Sequence, residues 1–201
     1  MRLITDTHYF APISFYKISS GYSHIIFEQY DRLKKAGFSN RCIIAGSNGR
    51  ITLSVPLEKG RDQRTLYRDL KVFNRLPWQL NHWKTIETCY NNSPWFQFYR
   101  DSLEQLYRTR FLFLIEWNLA CFEWAIDKLG HRADYSLSES YVHKYEDSID
   151  LRNAILPKNY ETHGTFRYNQ VFEDKVGFQN NLSIIDLLFC EGKAAQSILE
   201  C

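Results

Sequence analysis

Alternating apolar and polar residues predict a β-hairpin between Asn40 and Leu57. Asn48-Gly49 is a strong signal for a type I′ turn. The apolar residues that alternate with polar ones after this turn are Ile51, Leu53, Val55 and Leu57. One face of the second strand is therefore expected to be buried. Pro56 lacks an amide hydrogen, so it belongs at a strand end or at an edge.

The remaining elements of the first 75 residues are short. The sequence RLITDTHYFAP reads as a strand that runs into a loop, and ISFYKISS after it reads as a brief helix. A second strand is expected within HIIFEQYD. Residues 58–68 are polar and rich in charge, which is typical of a solvated loop.

Helical spacing dominates from Leu76 onward. Ser93 and Pro94 are expected to begin a helix as its N-cap and first residue. A second apolar stripe begins at Leu112 out of phase with the first, so a break is expected near residues 108–110, and Gly130 is expected to end the second helix. Residues 131–170 lack periodicity and are predicted to be irregular. Two short helices should close the chain, the first with a capping box from Ser183 to Asp186.

These elements define an α+β, or mixed α/β, fold. We expect a small N-terminal sheet with a β-hairpin, followed by a mainly helical C-terminal half. The 201 residues are sufficient for one domain. Within that domain, residues 1–75 form the part that contains the sheet and residues 76–201 the mainly helical part.

Charge and cysteine content narrow the class of protein. The chain has 25 Lys and Arg against 23 Asp and Glu, a net charge of +2, which weakens the case for a nucleic-acid partner. Five scattered cysteines form no CxxC pair, so reduced buried thiols in a cytoplasmic protein are expected. No secretory signal is visible, and the longest apolar run, 111–115, is too short for a membrane span.

Aromatic residues make up 16% of the chain. They fit a core built from large rings, and they also fit a pocket that grips sugars or bases. No motif of a hydrolase, nucleotide-binding loop or metal site is present, so neither a metal nor a cofactor is expected.

Three clusters nevertheless combine polar and aromatic side chains. The first surrounds His8 and Tyr9, where a strand end meets a helix, a common place for ligands in α/β sheets. The second joins charged residues near the hairpin, and its simpler interpretation is a surface ion-pair network. The third places Trp78, His82, Ile86 and Tyr90 on one helix face, with Trp83 beside them. Each histidine has a structural alternative, because buried imidazoles often satisfy backbone groups.

Five blocks in chain order resemble the WbqC-like protein family. They are YFAPISFYK, then EQYDRLKKAGFSNRCIIAGSNGRITLSVPL, then WQLNHWKTI, then SPWFQFY, and finally GFQNNLSIIDLLFCEG. Lys35, Asn40 and Arg41 match the family's hairpin block, whereas Leu33, Ala36 and Ser39 replace its usual aromatic, glutamine and arginine.

The resemblance implies a pathway more firmly than a reaction. Members are associated with bacterial surface-polysaccharide and O-antigen gene clusters, and a glycine-transferase role has been suggested for some. The function expected from it is a cytoplasmic transferase that places a small acyl or aminoacyl (glycyl) group on a nucleotide-linked amino sugar. The alternative is a binding module without catalysis, which carries a nucleotide-sugar or a lipid-linked intermediate.

Roles for the candidate residues follow from this expectation. His8 or His82 would deprotonate the accepting amine. Arg41 and Lys35 would bind phosphates, with Asn40 beside them. The aromatic residues expected to stack on the sugar or base are Tyr9, Trp78 and Trp83. For Arg41 an equal alternative is an ion pair with Glu28 or Asp31 that fixes the hairpin.

Overall fold

The computed structural model describes residues 1–34, 37–58 and 64–200. The strands are β1 (Arg2–Thr5), β2 (His24–Phe27), β3 (Arg41–Gly46), β4 (Gly49–Ser54), β5 (Tyr135–Leu137) and β6 (Ser148–Asp150). The α-helices are α1 (Ile13–Ser19), α2 (Trp78–Tyr90), α3 (Phe96–Arg108), α4 (Leu114–Leu129), α5 (Glu173–Val176), α6 (Ile184–Glu191) and α7 (Ala195–Glu200). Short 3-10 helices cover Tyr67–Asp69, Tyr160–Thr162 and Gly192–Ala194. The predicted α+β class is confirmed.

The first two strands of the chain, β1 and β2, are the inner strands of a parallel sheet of four strands. Its order is β5-β2-β1-β6, and every neighbouring pair is parallel. In β1, Leu3 pairs with Ile25 of β2 and with Ile149 of β6. Strand β1 is almost fully buried beyond Arg2, as expected for a central strand of a parallel sheet.

The hairpin is confirmed as a separate antiparallel pair of strands. Arg41 lies opposite Ser54 and Gly46 lies opposite Gly49. Gly49 has φ +111°, a conformation that residues with a side chain rarely adopt, so Asn48-Gly49 determines where the chain reverses. In β4 Leu53 is buried while Thr52 and Ser54 are exposed, which is the predicted alternation.

Strands β5 and β6 contradict the prediction that residues 131–170 are irregular throughout. Each strand has only three residues, so neither is long enough to show a pattern of alternation along the chain. Each becomes a strand because it pairs with a strand that is already buried: β5 pairs with β2, and β6 pairs with β1. The sheet therefore joins the two parts into which the sequence was divided at residue 75.

The predicted break between two helices is confirmed, because α3 ends at Arg108 and α4 begins at Leu114. Gly130 ends α4 with φ +70°. The N-cap of α3 is Trp95 rather than the predicted Ser93. Ser93 lies before the N-cap of α3, and its hydroxyl donates to the carbonyl of Tyr90. No described helix is both long and apolar enough to cross a bilayer.

Four cysteines are buried free thiols, as predicted: Cys42, Cys89, Cys121 and Cys190. Cys201 lies outside the described residues. Burial raises the pKa of the Cys121 thiol well above its usual value. These side chains therefore act as small apolar groups of the core.

A buried ion pair fastens β6 to the carboxyl end of the sheet. Glu28, fully enclosed after β2, accepts a hydrogen bond from Arg152, whose side chain is 7% exposed. Arg152 also binds Asp150 at 2.5 Å and the carbonyls of Val142 and His143. One arginine thus holds together the ends of two strands and the loop before β6.

Replacement of Arg152 by alanine is expected to lower the free energy of unfolding by about 3–5 kcal/mol, because Glu28 would remain buried without its cation. Urea denaturation measures this change. Arg100→Ala is the matched control, since its ion pair with Glu87 is exposed and contributes little. Equal effects of the two substitutions would show that the buried pair does not hold the sheet together.

Candidate functional site

A cleft of about 410 Å³ opens between the start of α2 and the end of α3. Its size lies within the range of small-molecule sites. Its lining residues are Asn74, Leu76, Pro77, Gln79, Leu80, Trp83, Glu104, Tyr107, Arg108 and Arg110. Leu76 and Leu80 are more than half exposed, which is unusual for large apolar side chains and leaves them available to a ligand.

Hydrogen-bonded hydroxyl groups lie behind the inner wall of the cleft. The hydroxyl of Tyr107 lies 2.5 Å from that of Tyr9, which lies 3.0 Å from Nδ1 of His82. All three side chains are less than a tenth exposed. Of these three residues, Tyr107 is the one that lines the cleft. The two hydrogen bonds therefore connect the cleft with the buried imidazole of His82.

The environment of His82 favours a neutral ring. Burial lowers its pKa to about 4, although a hydrogen bond with the backbone of Ser54 acts in the opposite direction. Nδ1 of the neutral ring shares a hydrogen bond with the hydroxyl of Tyr9, and the tautomer decides which of the two donates. The hydroxyls of Tyr9 and Tyr107 share a further hydrogen bond in which either one can be the donor, so the three groups form a continuous path for a proton.

Aromatic packing fixes the positions of these groups. Trp117, fully buried in α4, contacts Tyr9, Tyr107 and Trp78 at ring-centroid distances of 5.5, 5.1 and 5.2 Å. Trp78 also contacts the ring of His82 at 5.3 Å. Rings packed in this way have little freedom, so the hydroxyl chain behind the cleft is preorganised.

Two arginines provide positive charge at the opposite wall. Arg108 binds Glu104 one helical turn away at 2.6 Å, yet its side chain is 72% exposed. Arg110 is exposed and, among the residues that the structure describes, has no ion-pair partner. Guanidinium groups bind phosphate and carboxylate oxygens in pairs, so this wall suits an anionic ligand.

The structure brings together four of the predicted site residues. Tyr9, His82, Trp78 and Trp83 lie in one cluster around the cleft, although only Trp83 lines it. Trp83 packs on Tyr107 and on Phe96, and it is 7% exposed. The predicted stacking of Tyr9 and Trp78 on a ligand stays a prediction, and both rings are buried in the core.

The hairpin residues lie at a different place. Asn40 extends the base of the hairpin, because its amide donates to the carbonyl of Val55 at 3.1 Å. Arg41 begins β3 opposite Ser54, the residue whose backbone contacts His82, and it makes interactions of its own. Lys35 lies outside the described residues. The phosphate-binding role of these residues stays a prediction.

His8 faces another small space in the interior. Its ring packs against Phe15 and Phe38, and with Thr7 and Asn118 it lines a cavity of about 10 Å³. That volume suits about one water molecule and excludes a sugar. Burial lowers the pKa of His8 to about 4. His8, Arg41 and His82 therefore do not meet in the 410 Å³ cleft.

Sequence reasoning missed Tyr107, Arg108 and Arg110. Tyr107 follows Leu103 by four residues on α3, so its helical spacing indicated only a core position. The two arginines marked the break between α3 and α4, and this break also exposes them. The available signal was positive charge at the end of α3 together with two leucines, Leu76 and Leu80, around the start of α2.

No group of three His, Cys, Asp or Glu side chains is arranged as a metal site in the parts of the chain that the structure describes. The donors of the cleft are instead guanidinium, hydroxyl and amide groups. These groups suit hydrogen bonding to an oxygen-rich organic anion.

The structure is an α+β fold with a cleft of about 410 Å³ between α2 and α3. Residues 7–163, more than three quarters of the chain, match the profile of the WbqC-like protein family. The chain belongs to this family. The resembling block 177–192 lies beyond the matched residues. No curated protein sequence and no solved structure matches the chain significantly.

Removal of the His82 imidazole is expected to change how stability depends on pH. The folded ring has a pKa of about 4, below its ordinary value of 6.5, so protonation between these values favours the unfolded chain. As pH falls from 6.5 to 4, wild-type protein should lose up to about 1.4 kcal/mol of unfolding free energy per pH unit through this group. His82→Gln should lack this contribution.

Urea denaturation of both proteins at several pH values measures the difference. His8 and Asp6 also titrate in this range, but they are present in both proteins and cancel in the comparison. Above pH 7 the two stability curves should run parallel, which is the internal control. Equal slopes below pH 6.5 would contradict a neutral His82 in the fold.

Proposed function

We propose that this protein is a transferase of surface-polysaccharide biosynthesis that binds a nucleotide-linked amino sugar in the cleft between α2 and α3. The group transferred is a small acyl or aminoacyl unit. One observation carries the proposal: a cleft of about 410 Å³ combines an aromatic and aliphatic wall with two exposed arginines. Membership of the WbqC-like family supports the pathway.

The charges of the cleft suit a pyrophosphate. Arg110 can bind two phosphate oxygens with its planar guanidinium, and Arg108 can do the same once it is drawn from Glu104. The exposed Glu104 pair is weak, so the exchange costs little. Lys35 and Arg41 remain proposed as further phosphate contacts, and substitution of either tests that role.

The apolar part of the cleft suits a ring. Trp83 lies at its base, while Leu76 and Leu80 border it with more than half of each side chain exposed. A sugar or base that covers these side chains removes apolar area from water, at about 25 cal/mol per Å². Tyr107 also lines the cleft, and its hydroxyl is the group that we propose for a hydrogen bond to a hydroxyl or amino group of the sugar.

The transfer itself requires an activated donor such as an acyl or aminoacyl ester. The amine nitrogen of the sugar forms a bond to the acyl carbon, and the bond between that carbon and the ester oxygen breaks with its electron pair on the oxygen. A base takes the proton that the amine loses and passes it to this oxygen, so the products are an amide and an alcohol. Proton transfer to His82 would pass through the hydroxyls of Tyr107 and Tyr9. His8 is the other proposed base, although its cavity admits no sugar.

A specific observation favours the alternative of a binding module without catalysis. Nδ1 of His82 already shares a hydrogen bond with the buried hydroxyl of Tyr9, and burial lowers the pKa of the ring to about 4. A general base works best when its pKa lies near the working pH, so a neutral, enclosed imidazole is a weak one. The cleft itself suits a carrier of the same nucleotide-sugar equally well.

Loss of the two cleft arginines is expected to weaken ligand binding. Isothermal titration with UDP-linked and GDP-linked amino sugars measures the affinity of wild-type protein, Arg108→Ala and Arg110→Ala. Removal of one charged hydrogen bond to phosphate should reduce affinity about 10-fold to 100-fold. Arg100→Ala, on the same helix but outside the cleft lining, should bind as wild type does.

The outcome also distinguishes the two proposed phosphate sites. Binding that survives both cleft substitutions but fails in Arg41→Ala or Lys35→Ala would place the phosphate at the hairpin and overturn the cleft proposal. Absence of binding to every ligand of the panel would contradict the nucleotide-sugar substrate.

Turnover separates a transferase from a binding module. Wild-type protein is incubated with a nucleotide-linked amino sugar that it binds and with acyl and aminoacyl esters, and mass spectrometry detects the product. A transferase forms the amide, and His82→Asn should then reduce the rate at least about 100-fold if the imidazole is the base. His8→Asn is measured in parallel to test the second base.

Binding without product for every ester would support the carrier. Full activity of His82→Asn would remove this residue from the mechanism but leave the transferase intact. Circular dichroism of each variant distinguishes a lost catalytic group from a lost fold.

A further inference from the structure

The order of the parallel sheet predicts a crevice between the carboxyl ends of β1 and β6. From β1 the chain passes to β2 on one side, and after β5 it crosses to β6 on the other side of β1. In open parallel sheets, the point at which successive connections diverge leaves a gap at the carboxyl ends of the two strands, and ligands bind there. Here that point lies beyond Thr5 and Asp150.

Asp6 occupies this point directly after β1. Its Oδ2 accepts a hydrogen bond from the backbone N–H of Asn153 at 2.6 Å, which joins the two sides of the crevice. Its other oxygen, Oδ1, is buried and has no hydrogen-bond partner among the residues that the structure describes. Asp6 as a whole is 4% exposed. A buried acceptor without a partner is costly and marks a place where a donor is missing.

The neighbouring buried carboxylates differ from Asp6. Glu28 accepts hydrogen bonds from Tyr30, Ser138 and Arg152. Asp186 in α6 accepts one from Tyr90 and one from Tyr168, at 2.5 and 2.6 Å. The fold therefore supplies donors to both oxygens of these two groups, and Asp6 stands apart from them.

Charged groups approach Asp6 without bonding to it. The positive charges of Lys34 and Arg152 favour the ionised carboxylate of Asp6, and the negative charge of Asp31 disfavours it. The charge of Asp6 in turn raises the pKa of Tyr67. Lys34 pairs with Asp31 at 3.7 Å, and Arg152 is held by Asp150 and Glu28. Burial, the largest influence, raises the pKa of Asp6 to about 6.

We propose that the crevice between β1 and β6 is a second ligand site, in which Oδ1 of Asp6 accepts a hydrogen bond from the protonated amine of a small molecule. An ammonium group is the matching partner because it brings both a donor and the countercharge that no side chain among the described residues provides by direct contact. None of the residues that line the α2–α3 cleft lies at this crevice, so the inference does not rest on the proposed function.

The ligand must be small at its charged end. Segments 31–33 and 65–67 are joined by hydrogen bonds from Leu33 to Thr65 and from Tyr67 to Asp31. Asp31 and Tyr67 both interact electrostatically with Asp6, so these segments are close to it. Entry of an amine requires these segments to shift, since Oδ1 is enclosed. Once bound, the amine is shielded from water, which strengthens its interaction with the carboxylate.

Glycinamide is a suitable probe, and acetamide is its matched control because it lacks the amine. The Asn153 amide reports directly on Asp6, so its signal in a ¹H–¹⁵N spectrum is followed during titration. Glycinamide should shift this signal to saturation, while acetamide should not. Asp6→Asn should abolish the response, and Asp101→Asn, an exposed carboxylate on α3, should preserve it.

A pH titration of wild-type protein provides a second readout that needs no variant. The amine binds the ionised carboxylate, so its affinity should fall up to 10-fold for each pH unit below the midpoint seen by the Asn153 amide. Saturating glycinamide should lower that midpoint. An equal response to both probes, an unchanged midpoint, or a full response in a folded Asp6→Asn protein would each overturn the proposal.

Discussion

The structure depends on complete burial of the segment that follows β1. Residues Thr7 to Pro12 lie in the interior, where every backbone N–H and C=O needs a partner. Tyr9 donates its N–H to the carbonyl of Phe38, and the carbonyl of Phe10 accepts from the Ser183 hydroxyl. Ala11 accepts from the N–H of Ile184, so a segment near residue 183 holds the start of the chain. Phe10 tolerates φ +39° only because these bonds fix its neighbours on both sides.

This constraint explains why the cleft and the crevice can lie on one short segment. Tyr9 points its hydroxyl toward His82 and Tyr107, whereas Asp6 three residues earlier binds Asn153. Three residues separate these two side chains, so even a strand that continued regularly would point them to opposite faces of the sheet. The chain leaves β1 at Thr5 and turns at Phe10, after both side chains have been placed. Binding at either place would therefore act on a segment that the rest of the fold holds rigid.

The sequence predicted the elements that carry local signals. Asn48-Gly49 identified the hairpin and Gly130 the end of α4, because each depends on the conformational preference of one glycine. Strands β5 and β6 escaped prediction because three residues form a strand only when a buried partner selects them. Ser183 illustrates the same limit. It occupies the predicted N-cap position, but its hydroxyl binds Phe10, 173 residues away, rather than the first turn of its own helix.

In the candidate site too, the sequence predicted contacts between residues on one helix but not contacts between residues far apart along the chain. Helical spacing grouped Trp78 and His82 correctly on one face, and Trp83 lies close to them. It could not show that Tyr9 and Tyr107, 98 residues apart, share a hydrogen bond with each other and lead to His82. Nor could it show which carboxylate lacks a donor, because that depends on all the neighbours of Asp6. The distinction between a structural and a chemical polar group is therefore a property of the folded state. A histidine that bonds to a buried hydroxyl supports its surroundings, while a buried carboxylate with one oxygen unoccupied can still bind a donor from outside the chain.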